Sequence, residues 1–290
     1  MSVWRFVWCA AGALGAVLLA CVVSLHGASA ADGVDPLVFS GSDALYHGEL
    51  ERAEKLFSQA AQHNVGDVFV LNQWAVAVAR QERFAEAGEL FARVLRSDPD
   101  NLFALTWTGI LALERGDARA GEVAFAQVLT ADPGNANALY LLGVVRAAAN
   151  DMPRAVDLLR RSAQAVRLRG GDPDLHYRLG LAYRRMGMPA NAELELERAV
   201  ELRPDYGLAL VELGWVRHAA GRGDAAMEAW MRAANLPGPA GEEARASMAA
   251  IVAQDAQRAA AEGNFQRADG LWREVLRWEP NNRAALHHLR

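Results

Sequence analysis

The chain is poor in the residues that most often carry a reaction or a covalent staple. Its only cysteines, Cys9 and Cys21, both fall within the first thirty of 290 residues. If that segment is removed, what remains has no disulfide and no thiolate metal site, and stability rests on packing alone. Lysine occurs once, at Lys55, so the basic charge is arginine. The formal charge is −5, and loss of residues 1–30 removes Arg5 and no acid, making it one unit more negative. A mildly acidic chain without a basic tract is a poor nucleic-acid binder, and no nucleic-acid partner is expected. Alternating strand-like runs are nearly absent, the ten prolines are spaced, and alanine and leucine dominate. That composition predicts an all-α fold. Absent too are a glycine-rich phosphate loop, His-Glu-x-x-His, Gly-x-Ser-x-Gly and Cys-x-x-Cys. The adjacent His287 and His288 point in different directions on a helix, so they make a poor metal pair. We therefore expect no enzymatic activity, cofactor or metal.

Residues 1–30 differ in kind from the rest. Arg5 precedes an apolar stretch from Phe6 to Leu25, followed by Ala28-Ser29-Ala30. The order matches a secretory signal cleaved after Ala30. Two alternatives stay open: about 20 apolar residues also suffice for an uncleaved membrane anchor, and Leu18 to Cys21 resembles a bacterial lipobox that would lipidate Cys21. All three place the remaining chain outside the cytoplasm, and the expectation is an exported, periplasmic protein, either soluble or tethered to the membrane.

Beyond residue 30 the chain repeats itself. Phe91 and Pro99 return 34 residues later as Phe125 and Pro133, and the same spacing links Gly109 with Gly143, Gly180 with Gly214 and Gly187 with Gly221. From Pro133 to Pro204 the distance is two periods plus three, with the extra residues at 170–172. From Pro204 to Pro280 it is two periods plus eight, with the extra residues at 241–248. Within each unit a first helix carries a large apolar residue followed by Gly or Ala. A turn follows at Gly48, Gly116, Asn150, Gly187, Gly221 or Gly263. A second helix then sets a small residue four before a large one, as in Ala53/Phe57, Ala87/Phe91, Ala155/Leu159, Ala192/Leu196, Ala226/Trp230 and Ala268/Trp272. Such a pair shares one helix face, the small residue for close approach and the large one to fill the groove. Each unit buries its apolar face only against copies of itself.

This pattern resembles the tetratricopeptide repeat family. The resemblance implies a right-handed superhelical solenoid of about seven 34-residue helix-turn-helix repeats after the N-terminal signal or anchor. Residues 31–290 would form the solenoid, with repeats at 34–67, 68–101, 102–135, 136–169, 173–206, 207–240 and 249–282. It also implies a concave groove, lined by the first helices, that holds an extended peptide or a partner helix. By similarity to the family, groove residues are Asn72, Arg80, Phe103, Thr106, Asn137, Tyr140, Tyr177, Arg184 and Trp215, with a basic spot at Arg184 and Arg185. The lysine and asparagine pattern by which some members clamp chaperone carboxylates is not present. The expected function is a protein-interaction scaffold or assembly factor of the cell envelope. The alternatives are a self-associating structural protein and a non-catalytic accessory subunit of an envelope enzyme or secretion complex.

Overall fold

The computed structural model describes residues 35–64, 66–166 and 171–289; the signal or anchor read at residues 1–30 lies outside them. Among the described residues there are fifteen helices and no strand. The chain divides into two compact units, Met1–Leu168 and Arg169–Arg290. In the first, helices pair as α1 (Pro36–Tyr46) with α2 (Leu50–His63), α3 (Val68–Ala79) with α4 (Phe84–Ser97), α5 (Leu102–Glu114) with α6 (Ala118–Ala131) and α7 (Ala136–Ala148) with α8 (Met152–Val166). In the second, α9 (Pro173–Arg185) pairs with α10 (Pro189–Leu202), α11 (Gly207–Ala219) with α12 (Gly223–Ala234) and α13 (Pro239–Ala261) with α14 (Phe265–Trp278). The short α15 (Arg283–His288) packs on α14. Each pair stacks on the next, so each unit is a helical solenoid.

Local chemistry sets the helix starts. Asn101, Asn135 and Asn282 cap α5, α7 and α15, each side-chain oxygen accepting from the backbone N–H three residues on. Each amide also donates back to an acid three residues earlier, Asp98, Asp132 or Glu279, which locks the cap in place. The turn within each pair requires a left-handed residue. Glycine supplies it at Gly48, Gly116, Gly187, Gly221 and Gly263, and Asn150 in the fourth repeat. In the second repeat Glu82 is forced there at φ 62°. Glu82→Gly is expected to stabilise the first unit by about 1 kcal/mol, since the left-handed penalty of a β-carbon exceeds the entropy cost of glycine. A thermal melt checks it; an unchanged or lower midpoint would contradict the assignment of strain.

Inside five of the seven pairs, a glycine of the first helix lies under a large side chain of the second; alanine, Ala75 or Ala256, stands there in the second and seventh. A β-carbon built on Gly109 would stand 2.5 Å from Phe125, and on Gly180 2.6 Å from Leu196. On Gly214 it would overlap the Trp230 indole. Phe57, Phe91, Phe125, Trp230 and Trp272 are all buried. Neighbouring repeats are joined by long side chains: Arg83 pairs with Glu54 at 2.6 Å and Arg146 with Glu122 at 2.9 Å. Arg217 and Arg222 both reach Glu193.

The eight residues 241–248, expected as an insert between repeats, are helix. They lie inside the 23-residue α13, which starts at Pro239 in the first turn, where a missing N–H costs nothing. Gly241 allows that start, because a β-carbon there would collide with the carbonyl of Leu236. No helix among the described residues is long and apolar enough to cross a membrane.

Candidate functional site

Beyond consecutive helices, the closest approaches between repeats join first helices: α1 with α3, α9 with α11, and α11 with α13. Within each unit the first helices therefore line the inner side of the stack, and the expected groove residues lie on these helices, Arg80 as the residue that ends α3.

In the first unit four of those six residues are taken up by the fold. Asn72 is only 7% exposed. Its amide donates to Asn101 Oδ1 at 3.4 Å, and its own Oδ1, fully covered, accepts nothing. Thr106 is buried and donates to Leu102 of its own helix at 2.7 Å; Tyr140 is buried. The Arg80 guanidinium donates to the carbonyl of Leu45 at 2.8 Å, a second donor for a last-turn carbonyl of α1 that also accepts from the Gly48 N–H at 3.2 Å. Phe103 and Asn137 are half-buried. The Phe103 ring lies against Phe91 and Trp107, each with centroids 6.4 Å apart. Burial pushes the Glu114 carboxyl up, and the charge of Glu82 adds to the effect.

The second unit carries a denser polar arrangement. Tyr177 is half-buried, its ring 5.2 Å from that of Tyr206. Burial, then the Glu212 charge, pushes its hydroxyl up to about 12. Asp174 accepts from the Tyr206 hydroxyl at 2.5 Å and from Arg203 at 3.1 Å, while the Arg203 guanidinium lies 4.5 Å above the Tyr206 ring. Trp215 is half-buried, edge-on to Trp230 at 5.0 Å and 6.2 Å from His218.

Arg184 is exposed, with Nε 3.0 Å from Glu212 Oε2. The expected basic spot is thus half neutralised by an acid that repeat positions alone did not single out. Burial pushes the Glu212 carboxyl up, Arg184 holds it down in part, and Glu243 raises it again. One signal in the sequence pointed to Glu212: it is the lone acid in the apolar run Leu210-Val211-Glu212-Leu213-Gly214. Among the described residues no group of three or more His, Cys, Asp or Glu is placed to hold a metal ion.

The family model described as tetratricopeptide repeat matches residues 40–101, 108–173 and 177–241, more than half of the chain. The chain belongs to the tetratricopeptide-repeat family. Solved structures similar to it include the C-terminal part of a TPR repeat-containing protein from Cytophaga hutchinsonii, at 14% identity and TM-score 0.65, covering 87% of this chain and 98% of that one. Another is pilF of Pseudomonas aeruginosa, at 15% identity and TM-score 0.56, covering 76% and 95%. A third is YrrB, at 17% identity and TM-score 0.51, covering 80% and 96%. At these identities the likeness is one of fold. A search of curated proteins found no match. Tetratricopeptide repeats serve in protein–protein interaction and are generally non-catalytic, and a protein or peptide is the kind of partner such a fold takes.

Proposed function

We propose that the chain is an exported scaffold or assembly factor of the cell envelope, holding an extended peptide or a partner helix against the first helices of its tetratricopeptide repeats. The observation that carries this reading is the set of half-buried aromatic and amide side chains on the inner side, Phe103 and Asn137 in one unit and Tyr177 and Trp215 in the other. Rings with one face covered and one open offer contact area at little cost in rotamer entropy, and an amide can hold an extended backbone. YrrB, described as a TPR protein with an unusual peptide-binding site, is a precedent for the mode. Export rests on the signal-like order of Arg5, the apolar stretch and Ala28-Ser29-Ala30.

The rival is association through the outer side. Val123 and Leu194 occupy the same register in the second helices of repeats three and five and are 54% and 64% exposed. A photo-crosslinking residue placed at Asn137, or at the half-buried Leu181 one turn after Tyr177 on α9, is expected in living cells to yield adducts with another protein, recovered in the envelope fraction. The same residue at Val123 or Leu194 is expected to yield none. Adducts from the outer pair alone, or adducts recovered only from the cytoplasm, would overturn the reading.

A further inference from the structure

Glu212 is the least satisfied charged group on the inner side of the second unit. Its Oε2 is fully covered and accepts no hydrogen bond, whereas a buried carboxylate ordinarily gathers donors at both oxygens. The cation beside it is Arg184, whose Nε stands 3.0 Å from Oε2 without hydrogen-bond alignment and whose Nη2 reaches Oε1 only at 3.5 Å. Arg184 is 45% exposed and Glu212 19%, so a solvated side chain lies over a sheltered charge. The arginine end of the pair is solvated and poorly aligned, so exchanging one cation for another on Glu212 costs little.

The surroundings of Glu212 suit a cation. Trp215 follows three residues later on the same helix face, half-buried. Tyr177, on α9, is near enough for the Glu212 charge to act on its hydroxyl. Glu243, exposed on α13, adds a second negative charge. A carboxylate with an aromatic residue three positions on along its own helix and a tyrosine within electrostatic reach on the neighbouring one offers a guanidinium or ammonium both charge and ring faces. The net charge of −5 favours approach of a basic segment.

We propose that the inner side of the second unit docks its partner through an arginine or lysine side chain, which replaces Arg184 on Glu212 and lies between Tyr177 and Trp215. This rests on the inner-side reading above and gives it a chemistry. Arg184 is then a placeholder, and removing it strengthens binding. A partner that instead offered an acid to Arg184 would be weakened by the same change.

The test selects a phage-displayed library of random dodecapeptides on the full chain and measures the best peptide by fluorescence anisotropy. Enrichment of Arg and Lys is expected. Glu212→Gln, close to isosteric, should weaken binding about tenfold, and Arg184→Ala should tighten it about threefold. Replacing the peptide's basic residue by alanine should remove both effects. A gain in affinity is a result that misfolding does not produce. Peptides indifferent to Glu212→Gln, or weakened by Arg184→Ala, overturn the proposal. If their binding still depends on Tyr177 and Trp215, the inner-side reading stands without it. If it depends on neither, that reading falls as well.

Discussion

Trp230→Ala is expected to cost the second unit about 3–5 kcal/mol. Trp230 is among the largest fully buried side chains of the molecule and fills the space over Gly214. Its Nε1 donates to the carbonyl of Val211 at 3.1 Å, so truncation leaves a cavity and removes a buried hydrogen bond. It also removes the ring that Trp215 meets edge-on at 5.0 Å. Denaturant unfolding measures the loss, and hydrogen exchange should place it in α11 and α12. Trp230→Phe should restore part of the packing without the hydrogen bond. A loss below about 1 kcal/mol on truncation would mean that the indole does not hold this pair of helices together.

Gly109→Ala sets two effects of opposite sign against each other. Helix propensity favours alanine over glycine by about 1 kcal/mol. Here the new β-carbon would stand 2.5 Å from Phe125 Cε1, and Phe125 is fully buried. Overpacking of a tight core costs about 1–3 kcal/mol, so the net change is expected to be destabilising. Gly270, inside α14, is the control, because a β-carbon there meets nothing within 4 Å. Gly270→Ala should stabilise by about 0.5–1 kcal/mol. Two thermal melts decide the matter. The same sign for both substitutions would remove the role assigned to the glycines under the large second-helix residues.

Those glycines were legible in the sequence because they recur with the period. Gly109 and Gly143, or Gly180 and Gly214, mark the close approach before any coordinates are known, and Phe125 and Trp230 mark what approaches. The left-handed turns were legible where glycine or asparagine marks them. The turn at Glu82 was not, since a glutamate carries no sign of the backbone conformation its neighbours impose on it. Residues 241–248 break the period and so read as an insert, yet apart from Gly241 they are compatible with a helix that simply runs on.

On the inner side, position along the repeat located Asn137, Tyr177 and Trp215 among half-buried residues. It said nothing of how long side chains are spent. The carbonyl that Arg80 reaches is 35 residues away, and the carboxylate beside Arg184 is 28 away, each in an adjacent repeat. Such pairings depend on how one repeat stacks on the next, and no local pattern records them.

Capture of binding proteins on the full chain, beside the double variant Asn137→Ala with Trp215→Ala, tests the central claim most directly. Circular dichroism should first establish that both proteins are helical to the same extent. Mass spectrometry should then find a protein held by the unmodified chain and lost from the variant. Equal capture by both, or recovery of nothing but the chain itself, would contradict a binding face on the first helices.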